Sequence, residues 1–141
     1  MKTHLIISSL IAAGFILPAS MAKAGELTVK ITDIRANKGT LLVSVVNTEA
    51  GWDNKEKPVA AEKLAATGKE VELKFSLPAG SYAVQVLHDE NDNGKMDANF
   101  MGIPVEGYGF SNNPQVMRRA YFSESKFELG DAPSAVTIRL R

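Results

Sequence analysis

The chain has 141 residues, with 16 basic and 16 acidic side chains, two histidines and no cysteine. That balance leaves no basic excess for nucleic acid or an anionic membrane surface. The lack of cysteine excludes disulfide staples and a lipid-anchored lipoprotein.

Residues 1–24 read as a secretory signal peptide. Lys2 gives a positive start, Leu5 to Leu17 is apolar apart from Ser8, Ser9 and Gly14, and Pro18 precedes a small-x-small site at Ala22-Lys23-Ala24. The apolar run is shorter than the roughly 20 residues a membrane span needs, and no second run follows. Cleavage after Ala24 leaves residues 25–141 as one domain, with 14 basic against 16 acidic residues. A domain of that size can bury a core without a metal, so a bound ion would be an addition to the fold. Export without disulfides points to the bacterial periplasm or the extracellular space, without membrane insertion of the mature chain.

Period-two alternation dominates the mature chain. Leu27, Val29 and Ile31 alternate with Glu26, Thr28 and Lys30, which predicts a first strand. After the turn chemistry of Ala36 to Gly39, Leu41, Val43 and Val45 predict a second strand; Leu42 and Val46 make its other face apolar too. Glu49 to Asp53 reads as a loop, and Ala60 to Ala66 has helical propensity. Val71, Leu73 and Phe75, the turn Leu77-Pro78-Ala79-Gly80, and then Tyr82, Val84 and Val86 predict a hairpin. Residues 100–110 carry three glycines and a proline and read as an irregular connection anchored by Tyr108 and Phe110. Short strands are predicted within Val116–Phe122 and Lys126–Leu129, and a clear one over Val136, Ile138 and Leu140. The expected fold is all-β, a single antiparallel β-sandwich of about seven strands, immunoglobulin- or transthyretin-like.

The hairpin's second strand runs into His88-Asp89-Glu90-Asn91-Asp92-Asn93-Gly94-Lys95-Met96-Asp97. Asp89, Asn91 and Asn93 at alternate positions, then Gly94, spell the first half of a calcium loop. Alternate side chains of a curled loop present oxygens to one centre, and calcium takes six to eight of them. The predicted metal-ligand set is Asp89, Asn91, Asn93, the Lys95 carbonyl and Asp97. The twelfth place, normally a bidentate glutamate, is Phe100, so the site closes at Asp97 or borrows Glu90, Asp92 or Glu106. Four carboxylates in nine positions repel one another unless a cation intervenes. The competing reading is an Asx-rich turn held by its own backbone amides.

Other chemistry is sparse. His88 is the only histidine beyond the signal segment, which excludes multi-histidine zinc sites and leaves a hydrolase or lyase only one base, beside the loop carboxylates. Ser81 and Ser111 lack a nucleophile-elbow setting. A non-enzymatic role is therefore expected. Trp52, Tyr108, Phe110, Asn112 and Asn113 form a second candidate set, for binding a carbohydrate or peptide by ring stacking and amide hydrogen bonds. The alternative is that the rings plug the end of the sandwich and the amides tie down backbone.

The run Leu77 to Val84, the loop His88 to Asp97, Gly102-Ile103-Pro104, and Glu106 to Asn113 together resemble a family of secreted bacterial proteins. It is catalogued as a domain of unknown function, number twenty-one forty-one. The resemblance implies a periplasmic or exported β-sandwich and implies no activity. The Leu-Pro-Ala-Gly-Ser-Tyr hairpin is also similar to transthyretin-like modules, in fold only. The expected role is thus a binding or accessory module acting on an envelope ligand or protein, with calcium as its cofactor if the loop is filled.

Overall fold

The computed structural model describes residues 23–141. The signal segment expected at residues 1–24 therefore lies outside the described residues except for its last two positions. The first strand, β1, spans Ala24–Thr32 and buries Leu27, Val29 and Ile31 completely, as the alternation requires. The other strands are β2 (Thr40–Val46), β3 (Ala60–Ala65), β4 (Val71–Pro78), β5 (Gly80–Asp89), β6 (Gly107–Phe110), β7 (Phe127–Leu129) and β8 (Ser134–Arg139). Two single-turn helices, α1 (Glu49–Trp52) and α2 (Phe122–Ser125), interrupt them.

The strands form a β-sandwich of two sheets. One has the order β4-β1-β8, the other β3-β2-β5-β6, with β7 pairing the start of β5. All pairs are antiparallel except β1–β8, which is parallel (Leu27 opposite Ser134 through Thr32 opposite Arg139). The main core lies between the sheets, where the inward residues of β1, β2 and β5 meet Phe75, Leu77, Leu129, Ile138 and Leu140.

Three local expectations are corrected. Ala60–Ala65 is an edge strand and not helix: Ala60 and Leu64 face the core while β2 supplies the ladder, so pairing overrides alanine propensity. Glu49–Trp52 is helical because the Thr48 hydroxyl accepts the Gly51 amide as an N-cap (2.9 Å). No strand forms within Val116–Phe122; Trp52 Nε1 instead donates to the Ala120 carbonyl at 2.9 Å, and α2 follows.

The largest correction is β6. Gly107-Tyr108-Gly109-Phe110 alternates as a strand, with glycine at both inward positions. A Cβ on Gly109 would lie 2.7 Å from Ile138 Cγ2 and 2.9 Å from the Arg139 carbonyl oxygen. This close approach lets Tyr108 and Arg141 exchange backbone hydrogen bonds (3.1 and 2.9 Å), so β6 stitches the two sheets together along one side.

The outward face of the β2–β5 sheet is only partly covered. Trp52, Phe110 and Ala120 pack on Val46 and Ala83 as a second, smaller core. This explains the apolar Val46 on the outer side of β2. Farther along, Leu42, Leu87 and Tyr108 lie side by side on three adjacent strands and are half-buried.

Candidate functional site

The acidic loop leaves the end of β5 at Asp89 and returns at Glu106, where β6 begins. Asp89 is 2% exposed; its Oδ1 accepts the Asn93 amide (3.1 Å) and its Oδ2 the Gly94 amide (2.7 Å). Those bonds curl the chain so that Asp92 and Gly94 take positive φ of 56° and 79°. The curl brings Asn91, Asn93 and Asp97 together. Asn91 Nδ2 donates to Asp97 at 2.6 Å, and Asn93 Nδ2 donates to both Asp97 oxygens at 2.8 and 2.9 Å. Asn93 Oδ1 accepts the Lys95 amide at 3.1 Å.

Glu106 closes the loop from the far side. It is 5% exposed; Oε1 accepts the Glu90 amide and Oε2 the Asp97 amide, each at 3.0 Å. One carboxylate thus ties both ends of the loop to the root of β6. Its sequence signal was only a remote carboxylate, nine residues past the motif; the backbone bonds that place it are tertiary. From outside the loop, Arg35 (2.6 Å) and Lys38 (3.7 Å) hold Glu90. Its partial burial raises its pKa, but the Arg35 hydrogen bond and charge, aided by His88 and Lys38, outweigh that and leave it below the usual carboxylate range. Thr40 Oγ1 donates to Asp92 at 2.6 Å.

Asp89 and Glu106 share an unusual situation. Both are buried carboxylates, and among the described residues neither has a cationic side chain in ion-pair contact. Buried charges are ordinarily paired or bound to a metal. Among the described residues no three acidic, histidine or cysteine side chains converge as a ready-made metal cluster. An ion would have to draw on the amide oxygens of Asn91 and Asn93 and on a backbone carbonyl beside Asp89 and Asp97. Such a set consists only of oxygen donors, which suits a hard cation.

His88 lies under the sheet, fully buried, with Nε2 2.9 Å from the Lys38 carbonyl oxygen and Nδ1 without a partner. It has no access to a substrate at the surface, and its hydrogen bond is to backbone and not to a carboxylate.

The second candidate set is dispersed by the fold. Trp52 is 2% exposed and Phe110 7% exposed, packed against each other at a tilt of 50° with ring centroids 5.2 Å apart inside the smaller core. Neither presents a ring face to solvent. Asn113 Nδ2 donates to the Thr137 carbonyl and its Oδ1 accepts the Arg139 amide, each at 2.8 Å, so its side chain caps the edge of β8 as a further strand would. Asn112 Nδ2 donates to the Glu124 and Lys126 carbonyls. Of the rings in that set Tyr108 is the most exposed, being half-buried. It lines a groove, not foreseen from the sequence, between the acidic loop and the segment Val116–Arg119.

The fold and loop define a class: a two-sheet β-sandwich whose β3-β2-β5-β6 sheet carries an Asx-rich loop. A family model described as an uncharacterized protein conserved in bacteria (DUF2141) matches residues 29–137, and the chain belongs to that family. The match runs from the middle of β1 to the middle of β8, with the acidic loop and the Gly107–Asn113 run inside it. No curated protein and no solved structure matches.

Proposed function

We infer that the protein is an exported binding or accessory module of the bacterial envelope, and that its acidic loop holds one calcium ion. The observation that carries the calcium reading is the pair Asp89 and Glu106: two buried carboxylates on one loop, held only by backbone amides. A divalent cation beside Asp89, Asn91, Asn93, the Lys95 carbonyl and Asp97 would offset the repulsion among these carboxylates. The ion would order the loop and, through Glu106, the start of β6. Export is supported by the N-terminal sequence.

Calcium should raise the melting temperature. With a dissociation constant of about 10⁻⁴–10⁻³ M, as in extracellular modules, 10 mM calcium would add about 1.4–2.7 kcal/mol. Magnesium, which dehydrates reluctantly, should add less. The same shift in an Asp89→Asn plus Asp97→Asn variant, or no shift at all in the native protein, would overturn the assignment.

A further inference from the structure

The groove on the outward face of the β2–β5 sheet has a volume of about 1110 Å³ and is open to solvent. Its floor includes Leu42, Leu87 and Tyr108, and one wall carries Ile103 beside Pro104. Met96, Met101 and Met117 also line it. These are the three methionines of the described chain, and all three are exposed, at 38%, 68% and 106%. With Ile103 they make up four of the eight exposed large apolar side chains among the described residues, and they line one concavity. Flexible thioethers of this kind adapt to apolar ligands of varied shape.

The charge of the lining is as uneven as its polarity. Lys95, Arg118, Arg119 and Arg141 border the groove, and no aspartate or glutamate is among its lining residues. Arg118 is held by Glu124 at 2.8 and 2.9 Å, and Arg119 reaches Asp53 at 3.4 Å. Lys95 and Arg141 have no carboxylate in ion-pair contact among the described residues. Arg141 donates to the Pro114 carbonyl at 2.7 Å and lies over the Tyr108 ring, with 5.5 Å to the ring centroid. In a chain without basic excess, four cations bordering an apolar concavity select for an anion with an apolar body.

We propose that this groove binds a single-chain amphiphilic anion, an acyl carboxylate, with its chain along Leu42, Leu87 and the three methionines and its head group at Lys95 and Arg141. This goes beyond the calcium reading and does not rest on it, since no loop carboxylate lines the groove. The occupant is a monomeric amphiphile rather than a membrane surface, because the apolar side chains form the inside of a concavity.

The test is a titration of the full chain, with and without chelator, using dodecanoate below its micelle concentration. The signals are the methyl resonances of isotope-labelled Met96, Met101 and Met117, which need no variant. We expect all three to shift together and saturate. Affinity should fall by about two- to fourfold per methylene removed on going to decanoate. Dodecanol should bind about tenfold more weakly for want of charge, and dodecyltrimethylammonium more weakly still. Leu87→Glu should abolish binding, while Lys95→Gln with Arg141→Gln should remove the preference for carboxylate over alcohol. Shifts confined to other residues, equal binding of the alcohol and the carboxylate, or binding to phosphatidylglycerol vesicles without binding of monomeric dodecanoate would each overturn the proposal. So would retained affinity in a folded Leu87→Glu protein.

Discussion

Replacing Glu106 by Gln probes the fastening of the acidic loop most sharply. The native carboxylate accepts two backbone amides at 3.0 Å, one on each side of the loop, from a 5% exposed position. The glutamine amide keeps one acceptor oxygen and replaces the other by an NH₂ group, so one amide faces a donor and is left unpaired. Hydrogen bonds to charged groups contribute about 1.5–3 kcal/mol, and an orphaned buried donor costs about 1–3 kcal/mol. Since loop relaxation recovers part of this, a loss of about 2–3 kcal/mol is expected. At about 4 °C per kcal/mol for a domain of this size, the melting temperature should fall by roughly 8–12 °C. Hydrogen exchange locates the loss: the Glu90 and Asp97 amides should exchange faster, while the central amides of β1 report only the global change. A melting temperature within 2 °C of the native value, with those two amides still protected, would refute the fastening role.

The same geometry yields three further outcomes. Gly109→Ala should destabilise by about 1–3 kcal/mol through overpacking against Ile138 and the Arg139 carbonyl, where an unhindered Gly→Ala change would stabilise; chemical denaturation decides the sign. Asn113→Ala should cost about 1–2 kcal/mol and expose the Thr137 carbonyl and Arg139 amide at the β8 edge, read as faster exchange at Arg139. Glu124 is held at a pKa of about 2, chiefly by the Arg118 hydrogen bond. Because its folded pKa lies below the ordinary value of 4.5, its stabilising contribution is complete above pH 4.5 and is lost as pH falls toward 2. Carboxyl NMR should show a midpoint near 2, returning toward the ordinary value in Arg118→Gln.

The sequence revealed strands whose alternation has side chains on both faces, such as β1, the β4–β5 hairpin and β8. It concealed β6, because Gly107 and Gly109 occupy the inward positions and a glycine contributes nothing to a hydropathy pattern. Their role becomes visible only once Ile138 and Arg139 are seen pressed against them. Ala60–Ala65 misled in the opposite sense, since alanine propensity is local and the β2 ladder is not. The curl of the acidic loop was legible from Asp89, Asn91, Asn93 and Gly94, because the Asx bonds and the positive φ are short-range. The hold exerted by Glu106 was not, because it depends on where β6 begins. Trp52, Phe110, Asn112 and Asn113 stand out in the sequence as unusual residues. The structure places them in core packing and backbone capping, where large rings and amides also serve well. The groove is not legible because its lining comes from four separated stretches, around Leu42, at Asn54, from Gln85 to Arg119, and at Arg141.

The calcium assignment is tested most directly by equilibrium dialysis of the protein against radioactive calcium. One ion per chain is expected, with a dissociation constant of about 10⁻⁴–10⁻³ M. Binding should be lost in the Asp89→Asn plus Asp97→Asn variant and retained in Glu124→Gln, whose carboxylate lies outside the loop. No bound ion at 10 mM calcium, or undiminished binding after both loop aspartates are changed, would contradict it.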